Sequence, residues 1–412
     1  MSGDKRHIAL ISVHGDPAIE IGKEEAGGQN VYVRQVGEAL ARQGWHVDMF
    51  TRRTDSEQPA IVEHVPNCRT IRLTAGLPEF IPRDELFEYL PTFVEQLLQF
   101  QSDSGIHYPV VHTNYWLSSW VGMMLKKLTG VKQVHTHHSL GAIKYQAVPT
   151  QPPIAKTRLE TETRCMETAE RLIATSPQEA EDIQSYVQDP LQNIALIPCG
   201  TDIDRFGLIS RQEARQKLGI NSEAKVVFYI GRFDPRKGIE TLIRAAKLSQ
   251  MSQDPNFQLI VGGGSRPGQA DGAERERLEK LVEDLGMVAA QFAGRIPDEL
   301  MSTYYAAADA VVVPSHYEPF GLVAVEAMAC RTPVIASSVG GLQYSVIPEV
   351  TGLLAPPKDE VAFAAAIDRI LSDTAWRDQL GEAARDRVLS QFSWASVAEQ
   401  LGRVYLEVAD RD

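Results

Sequence analysis

A chain of 412 residues exceeds what one hydrophobic core usually holds, so two or three domains are expected. Hydrophobic residues at 43% and charged residues at 23% describe an ordinary globular chain and exclude a disordered or fibrous one. A formal net charge of -13 excludes nucleic acid as the main partner, because a phosphate backbone needs a basic face, whereas a small anion needs only a few local cations.

The chain opens with a strand over residues 7–13, whose apolar run Ile8 to Val13 turns polar too soon for a signal peptide or a membrane span. No later run reaches span length, so no membrane partner is expected. The cysteines Cys68, Cys165, Cys199 and Cys330 are scattered, which predicts buried free thiols in a reduced, cytoplasmic protein. After a Gly-containing loop, a helix begins near Asn30, carries Val33, Val36 and Leu40 on one stripe, and stops at Gly44. Strand 45–51 completes a βαβ unit, which implies a parallel sheet. Further strands are predicted at Thr70–Leu73, Val110–Thr113, Gln133–Thr136 and Arg171–Thr175.

The same alternation restarts after residue 221. Strands are predicted at 225–231, 257–264, 289–294, 310–315 and 333–337, with helices from about Gly238 and at 273–285, 298–308 and 320–330. Two runs of alternating strand and helix predict two doubly wound, Rossmann-like domains. The boundaries are drawn at 1–200, 201–390 and 391–412, with segment 197–206 as the linker. The last stretch, 392–408, is amphipathic, with Trp394, Val397, Leu401, Val404, Tyr405 and Val408 on one side; such a helix needs a surface to cover.

Four segments carry chemistry. In GGQNVYV (27–33), two glycines let a ligand approach the backbone and the following helix offers free N–H groups to an anion; a plain tight turn fits the same residues. In GRFDPRKG (231–238), Arg232 and Lys237 lie between a strand and a helix, where they can converge on a diphosphate; an ordinary basic turn is the alternative. In EPFGLVAVE (318–326), Glu318 follows a strand end, Pro319 and Gly321 shape a loop, and Glu326 lies about two turns into an apolar helix, a place that suits a ribose diol. The amides of Phe320, Gly321 and Leu322 open that helix.

In HTHHSLGAIK (135–144), the H-x-H-H spacing is not that of a zinc hydrolase helix, so no metal is assigned; a neutral imidazole there can bond a sugar or relay a proton. Asp202 and Asp204 lie in the linker and are read as cap chemistry rather than a metal site.

Together these segments resemble the retaining GT-B glycosyltransferases, in that family's order and spacing and over nearly the whole chain. Within the family, GGQ followed by HSLG resembles the bacterial sucrose-phosphate synthases. The layout, including YWLSSWVG, is also similar to the enzyme that puts N-acetylglucosamine on inositol phosphate. The resemblance implies two domains facing across a cleft, with the acceptor in the first, the nucleotide-sugar in the second, and the C-terminal helix returning to the first. It implies that Gly28 gives its amide to the donor phosphate and that Arg232 and Lys237 hold the diphosphate without metal. Glu326 would bind ribose, Arg295 and Ile296 the base through backbone groups, Glu318 with the Phe320, Gly321 and Leu322 amides the glucose hydroxyls, and His138 the reacting sugar near O6. On the acceptor side, Gln29 would face fructose, Ser139 belongs to the same group, and Arg83, Tyr115, Thr136, Lys144 and Arg158 are candidates for the phosphate. Arg83 stands where relatives often carry lysine.

The activity so implied is transfer of glucose from UDP-glucose to fructose 6-phosphate with retention, with no cofactor and small molecules as the only partners; ADP-glucose is the other possible donor. Sequence alone leaves open free fructose or an inositol phosphate as acceptor, a same-fold epimerase or phosphorylase, and a non-catalytic sugar-nucleotide binder. It does not give the oligomeric state.

Overall fold

Strands covered by helices on both faces read as apolar runs rather than alternating ones, and HIALI, KVVFYI and AVVV are of that kind. The structure, a computed structural model, describes residues 6–19, 27–146, 151–186, 193–266, 268–318 and 320–410. Pro319, expected to shape the loop after Glu318, lies outside the described residues. By packing, the chain divides into two units: Met1–Cys199 with Trp394–Asp412, and Gly200–Ser393.

The first unit is built on strands β1 (His7–Ile11), β2 (His46–Arg52), β3 (Ile61–Val65), β4 (Cys68–Leu73), β5 (Val110–Asn114), β6 (Lys132–Thr136), β7 (Arg171–Ala174) and β8 (Ile194–Leu196), in the order β3-β4-β2-β1-β5-β6-β7-β8. All pairs are parallel except β3 with β4. Strand β3, IVEHV, was not expected: it is an edge strand with no fully buried residue, and Glu63 and His64 interrupt its apolar residues, so it lacks the apolar run by which its neighbours are recognised. The first strand ends at Ile11, two residues before the apolar run does.

The helix Trp394–Ala409 belongs to this unit. Gly402 lets it approach Trp45, the Tyr405 ring meets Trp45 edge-on at 5.5 Å, and the Tyr405 hydroxyl bonds His112 Nδ1 at 2.6 Å. Its apolar side is thereby covered, with Val397, Leu401 and Val408 buried. Each such side chain contributes ~1.5–3 kcal/mol by leaving water.

The second unit has strands β9 (Lys225–Ile230), β10 (Phe257–Gly262), β11 (Ala290–Gly294), β12 (Ala310–Val313), β13 (Val334–Ser337) and β14 (Gly352–Ala355), in the order β11-β10-β9-β12-β13-β14 and parallel throughout. Strand β12 stops at Val313, ahead of Pro314, so it is shorter than the apolar run suggests. The expected helix over 298–308 is a 3-10 turn, Asp298–Leu300, followed by helix Met301–Ala307.

Among the parallel strands of each sheet the order reverses once, between β1 and β5 and between β9 and β12. Loops at the carboxyl ends of strands flanking such a reversal splay apart and leave a crevice. In this chain those loops hold His14 and Tyr115 in the first unit, and residues 231–238, 314–318 and 320–321 in the second.

Candidate active site

In the second unit, Gly263 carries the chain past the end of β10 with a positive φ, and a Cβ there would meet Gly231 O at 2.2 Å. The carboxyl ends of β9 and β10 therefore lie closer than any other residue would allow. Asp234 then caps the turn Pro235–Lys237, accepting from Arg236 N at 3.0 Å and pairing with the Arg236 guanidinium at 2.6 Å. Arg236 O in turn accepts from His316 N at 2.7 Å, which ties this turn to the loop after β12. The two loops meet in an ion pair: Lys237 Nζ donates to Glu318 Oε2 at 2.6 Å, with Ser315 Oγ at 3.4 Å from the same oxygen. Arg232 is exposed, and its guanidinium makes no hydrogen bond among the described residues.

Phe320 is buried and packs edge-on against Phe392 at 5.9 Å, so its ring serves the core and its backbone faces the loop. Gly321 adopts a left-handed φ of 87°, and a Cβ there would strike Leu342 at 2.5 Å. Helix Leu322–Ala329 starts from it, and amides of a first turn have no acceptor within their own helix. One turn on, the half-buried Glu326 accepts from the Tyr305 hydroxyl at 2.7 Å. Burial pushes its carboxyl up to about 7, against the pull of Tyr305 and Arg205. Ile296 is buried against Gly262 while Arg295 is exposed beside Gly264.

In the first unit, two residues other than glycine take left-handed backbone at neighbouring strand ends, Tyr115 at φ 74° after β5 and His138 at φ 57° after β6. Such conformations cost ~1–3 kcal/mol and persist where the surroundings over-determine them. The Tyr115 ring is the centre of a cationic group. Arg158 lies 5.0 Å from its centroid and donates Nη1 to the Tyr115 hydroxyl at 3.1 Å, and Arg83 lies 5.7 Å from the same ring. His14 meets it at 4.7 Å.

Arg158 is itself locked, with Nε on Glu162 Oε1 at 2.7 Å and Nη2 on the Ser139 carbonyl at 2.6 Å, while the other Glu162 oxygen accepts from Gly141 N at 2.8 Å. Two polar atoms here are buried without a hydrogen-bond partner among the described residues: His14 Nδ1 and Arg83 Nε, the latter 3.6 Å from Asp84. Burial, with the Arg83 charge adding, lowers the His14 imidazole to about 3, so it is neutral near pH 7.

His138 Nε2 lies 2.9 Å from Asn114 Oδ1. The Asn114 amide nitrogen is directed at the carbonyls of Ile11 and His112, which leaves its oxygen for the imidazole. His138 therefore donates from Nε2 and keeps Nδ1 as an acceptor. Burial lowers its pKa to about 3, which holds it neutral. Gln29, on the first turn of helix Gly28–Arg42, is held by Ser12 Oγ at 3.0 Å and the Asn114 carbonyl at 3.4 Å.

With this geometry in place, the comparisons decide the family. The family model for glycosyl transferases group 1 matches residues 210–387, and the one for glycosyltransferase family 4 matches residues 26–205. A D-inositol 3-phosphate glycosyltransferase of Corynebacterium jeikeium is 37% identical over 97% of this chain and 96% of its own. The solved sucrose-phosphate synthase of Thermosynechococcus elongatus is 52% identical, covers 98% of both chains and superposes with a TM-score of 0.87. The chain belongs to the GT-B glycosyltransferases. The fold is also that of the Anabaena protein HepE solved with UDP and glucose and with UDP-glucose, at 20% identity over 97% of this chain and 99% and 98% of the respective HepE chains, with TM-scores of 0.75 and 0.74.

Not every residue expected at the site of this glycosyltransferase is placed to meet a ligand. Thr136 is a correction: it is fully buried and its hydroxyl bonds His112 Nε2 at 2.8 Å, on the side of the sheet covered by Tyr405. Lys144, in the helix Gly141–Gln146, lies near enough to Glu162 to favour its charged form. Ser139 supplies its carbonyl to Arg158. Gly28 is the exposed first residue of its helix. His135 and His137 are buried, packed edge to face at 4.4 Å and held neutral by burial. Asp202 Oδ1 accepts from Asp204 N at 3.1 Å and Arg205 N at 3.0 Å, a turn cap. The sequence reading missed His14, Asn114, Glu162 and Tyr305; only His14, directly after the first strand in V-H-G-D, carries a local signal.

Proposed function

We propose that this glycosyltransferase moves glucose from UDP-glucose to fructose 6-phosphate with retention of configuration and without a metal ion, giving sucrose 6-phosphate and UDP. The observation that carries the acceptor half is the cationic group around Tyr115. Arg158 is fixed there, and Arg83 Nε and His14 Nδ1 are buried with no hydrogen-bond partner among the described residues, Asp84 lying 3.6 Å from the former. Unsatisfied buried polar atoms are uncommon in folded proteins, and an acceptor phosphate would satisfy these two. The 52% identity to a sucrose-phosphate synthase supports fructose 6-phosphate as its carrier.

On the donor side, Arg232 and Lys237 neutralise the charge that develops on the departing diphosphate, the part a divalent ion plays elsewhere. Glu326 accepts from the ribose hydroxyls, and the backbone at Arg295 and Ile296 meets the base. Glu318 and the amides of Phe320, Gly321 and Leu322 hold the glucose hydroxyls, and His138 Nδ1 accepts from the O6 hydroxyl. The anomeric C–O bond breaks and its electron pair leaves with UDP. The acceptor hydroxyl adds from the same face, and its proton passes to a phosphate oxygen of the leaving group. UDP-glucose is preferred over ADP-glucose in this reading.

Transfer to inositol 3-phosphate is the second reading, favoured by the 37% identical relatives. It uses the same phosphate contacts and a different polyol. Incubation with UDP-glucose and, separately, fructose 6-phosphate, fructose and inositol 3-phosphate tests the two. Sucrose 6-phosphate from the first acceptor alone is expected. Product from inositol 3-phosphate with none from fructose 6-phosphate overturns the proposal.

A further inference from the structure

At the amino ends of the central strands β9 and β12, opposite the donor loops, one buried carboxylate meets three guanidiniums. Asp309 Oδ2 accepts from Arg215 Nη2 at 2.8 Å and from Val226 N at 2.7 Å. Its Oδ1 accepts from Arg377 Nη1 at 2.5 Å and lies 4.0 Å from Arg211 Nε. Asp309 thus accepts from two arginines and an amide, with Arg211 at ion-pair distance. Arg211 Nε is buried and has no hydrogen-bond partner among the described residues.

The second carboxylate within reach is Asp378. Its side chain is 56% exposed, and it accepts from Arg211 Nη1 at 2.9 Å and Arg377 Nε at 3.0 Å. Three cations thus face two anions, one of them largely in water. Burial pulls the Arg215 guanidinium below its ordinary value; Asp309 opposes this and Arg211 and Arg377 add to it, as expected where positive charge is crowded.

Arg211, Arg215 and Arg377 line a surface depression of about 640 Å³ together with Gln212, Gln216 and Ser222. Gln212 and Gln216 are exposed on the helix Arg211–Leu218 and add amide donors to the same opening. Arg215 is buried and each of its nitrogens has a protein partner, Asp309, the Ala307 carbonyl at 3.0 Å and the Ser222 carbonyl at 2.6 Å, so it supplies field rather than new bonds. Arg377 is held at each nitrogen too, by Asp309 and by Asp378 Oδ1, but its side chain and that of Arg211 reach the surface at 13% and 24% exposed, where the N–H groups not directed at these carboxylates remain available.

We propose that this depression is a second anion site, separate from the donor and acceptor groups, which binds a phosphate anion, free or as the end of a small phosphate monoester, through Arg211, Arg377 and the Gln212 and Gln216 amides. Fixed guanidiniums suit a tetrahedral oxyanion better than chloride, because the planar fork bonds two oxygens at once.

The test is a titration of the full chain, saturated with UDP to fill the diphosphate site, with inorganic phosphate or glycerol 3-phosphate at constant ionic strength set by chloride. Heat of binding and thermal midpoint are both followed. Saturable binding that persists in R83Q and weakens about tenfold or more in R211Q and in Q216E is expected. Q216E changes an exposed residue and adds a negative charge to the opening, so it reports on the site even if R211Q fails to fold. Binding of the monoester as well as of free phosphate assigns an open site, and binding of free phosphate alone a closed one; either supports the proposal. No saturable binding in the UDP-saturated protein, or binding unchanged in Q216E, overturns it.

Discussion

At the reversal point of the first unit the central cation, Arg158, is fixed by several of the protein's own groups; at that of the second, Arg232 and Lys237 are held by few. Arg158 is 1% exposed and committed to Glu162, Ser139 and Tyr115, whereas Arg232 is exposed and Lys237 is tied by one partly exposed contact to Glu318. The difference matches the tasks proposed for the two places. A phosphate that stays on the acceptor throughout is served by a rigid, preorganised group. A diphosphate that gains charge as the bond breaks is served by cations that exchange an internal partner for it. On this reading the Lys237–Glu318 pair keeps both side chains placed until donor binding separates them, Lys237 to the phosphates and Glu318 to the sugar.

The comparison is tested first where the effect is largest. The double substitution Arg232→Ala and Lys237→Ala should lower kcat by about 10³-fold or more, with folding retained, because fixed donors at developing charge are each worth ~10²-fold or more. Turnover near that of the parent removes the donor half of the comparison.

In the first unit the counterpart is a stability effect. Glu162→Gln leaves the buried Arg158 without its counter-charge and should cost about 3 kcal/mol in urea unfolding, since breaking one side of a buried pair strands the other. A cost near zero would mean that Arg158 is not locked.

Arg83→Gln comes next. It should raise KM for fructose 6-phosphate by about 30-fold, the value of a charged contact of ~2 kcal/mol, and leave KM for UDP-glucose unchanged. A rise in both would place Arg83 outside the acceptor group.

The smallest effect is one of pH. The Glu326 carboxyl is raised in the folded protein from 4.5 to about 7, so between those values the native state holds more protons than the unfolded chain. Its contribution to stability therefore falls as pH rises through that window. Ribose hydroxyls donate to the ionised form, so UDP should bind about tenfold more tightly at pH 8 than at pH 6, beyond what titration of UDP itself gives. Glu326→Gln should remove that excess when the two proteins are compared by calorimetry. An excess that survives the substitution assigns it to another group.

How much of this was readable beforehand follows from where each contact lies in the chain. The two sheets and their loops announce themselves by apolar runs such as KVVFYI followed by GRFDPRKG, where a strand, a basic turn and a helix follow one another directly in local sequence. Glu326 was readable because a carboxylate in an apolar helix needs a partner; which partner was not, since Tyr305 lies 21 residues away on another helix. The locking of Arg158 depends on Tyr115, 43 residues distant, and the orientation of His138 on Asn114, 24 residues distant. Thr136 was misplaced for a related reason. It alternates with its neighbours on β6, and only the helix Trp394–Ala409, from the far end of the chain, fixes which face is covered.

The proposed transfer depends most on side chains replacing a divalent ion at the diphosphate. The direct measurement is initial rate with UDP-glucose and fructose 6-phosphate after dialysis against EDTA, before and after adding magnesium or manganese. An undiminished rate that neither ion raises is predicted. A dialysed protein without activity, restored in full by either ion, would contradict it.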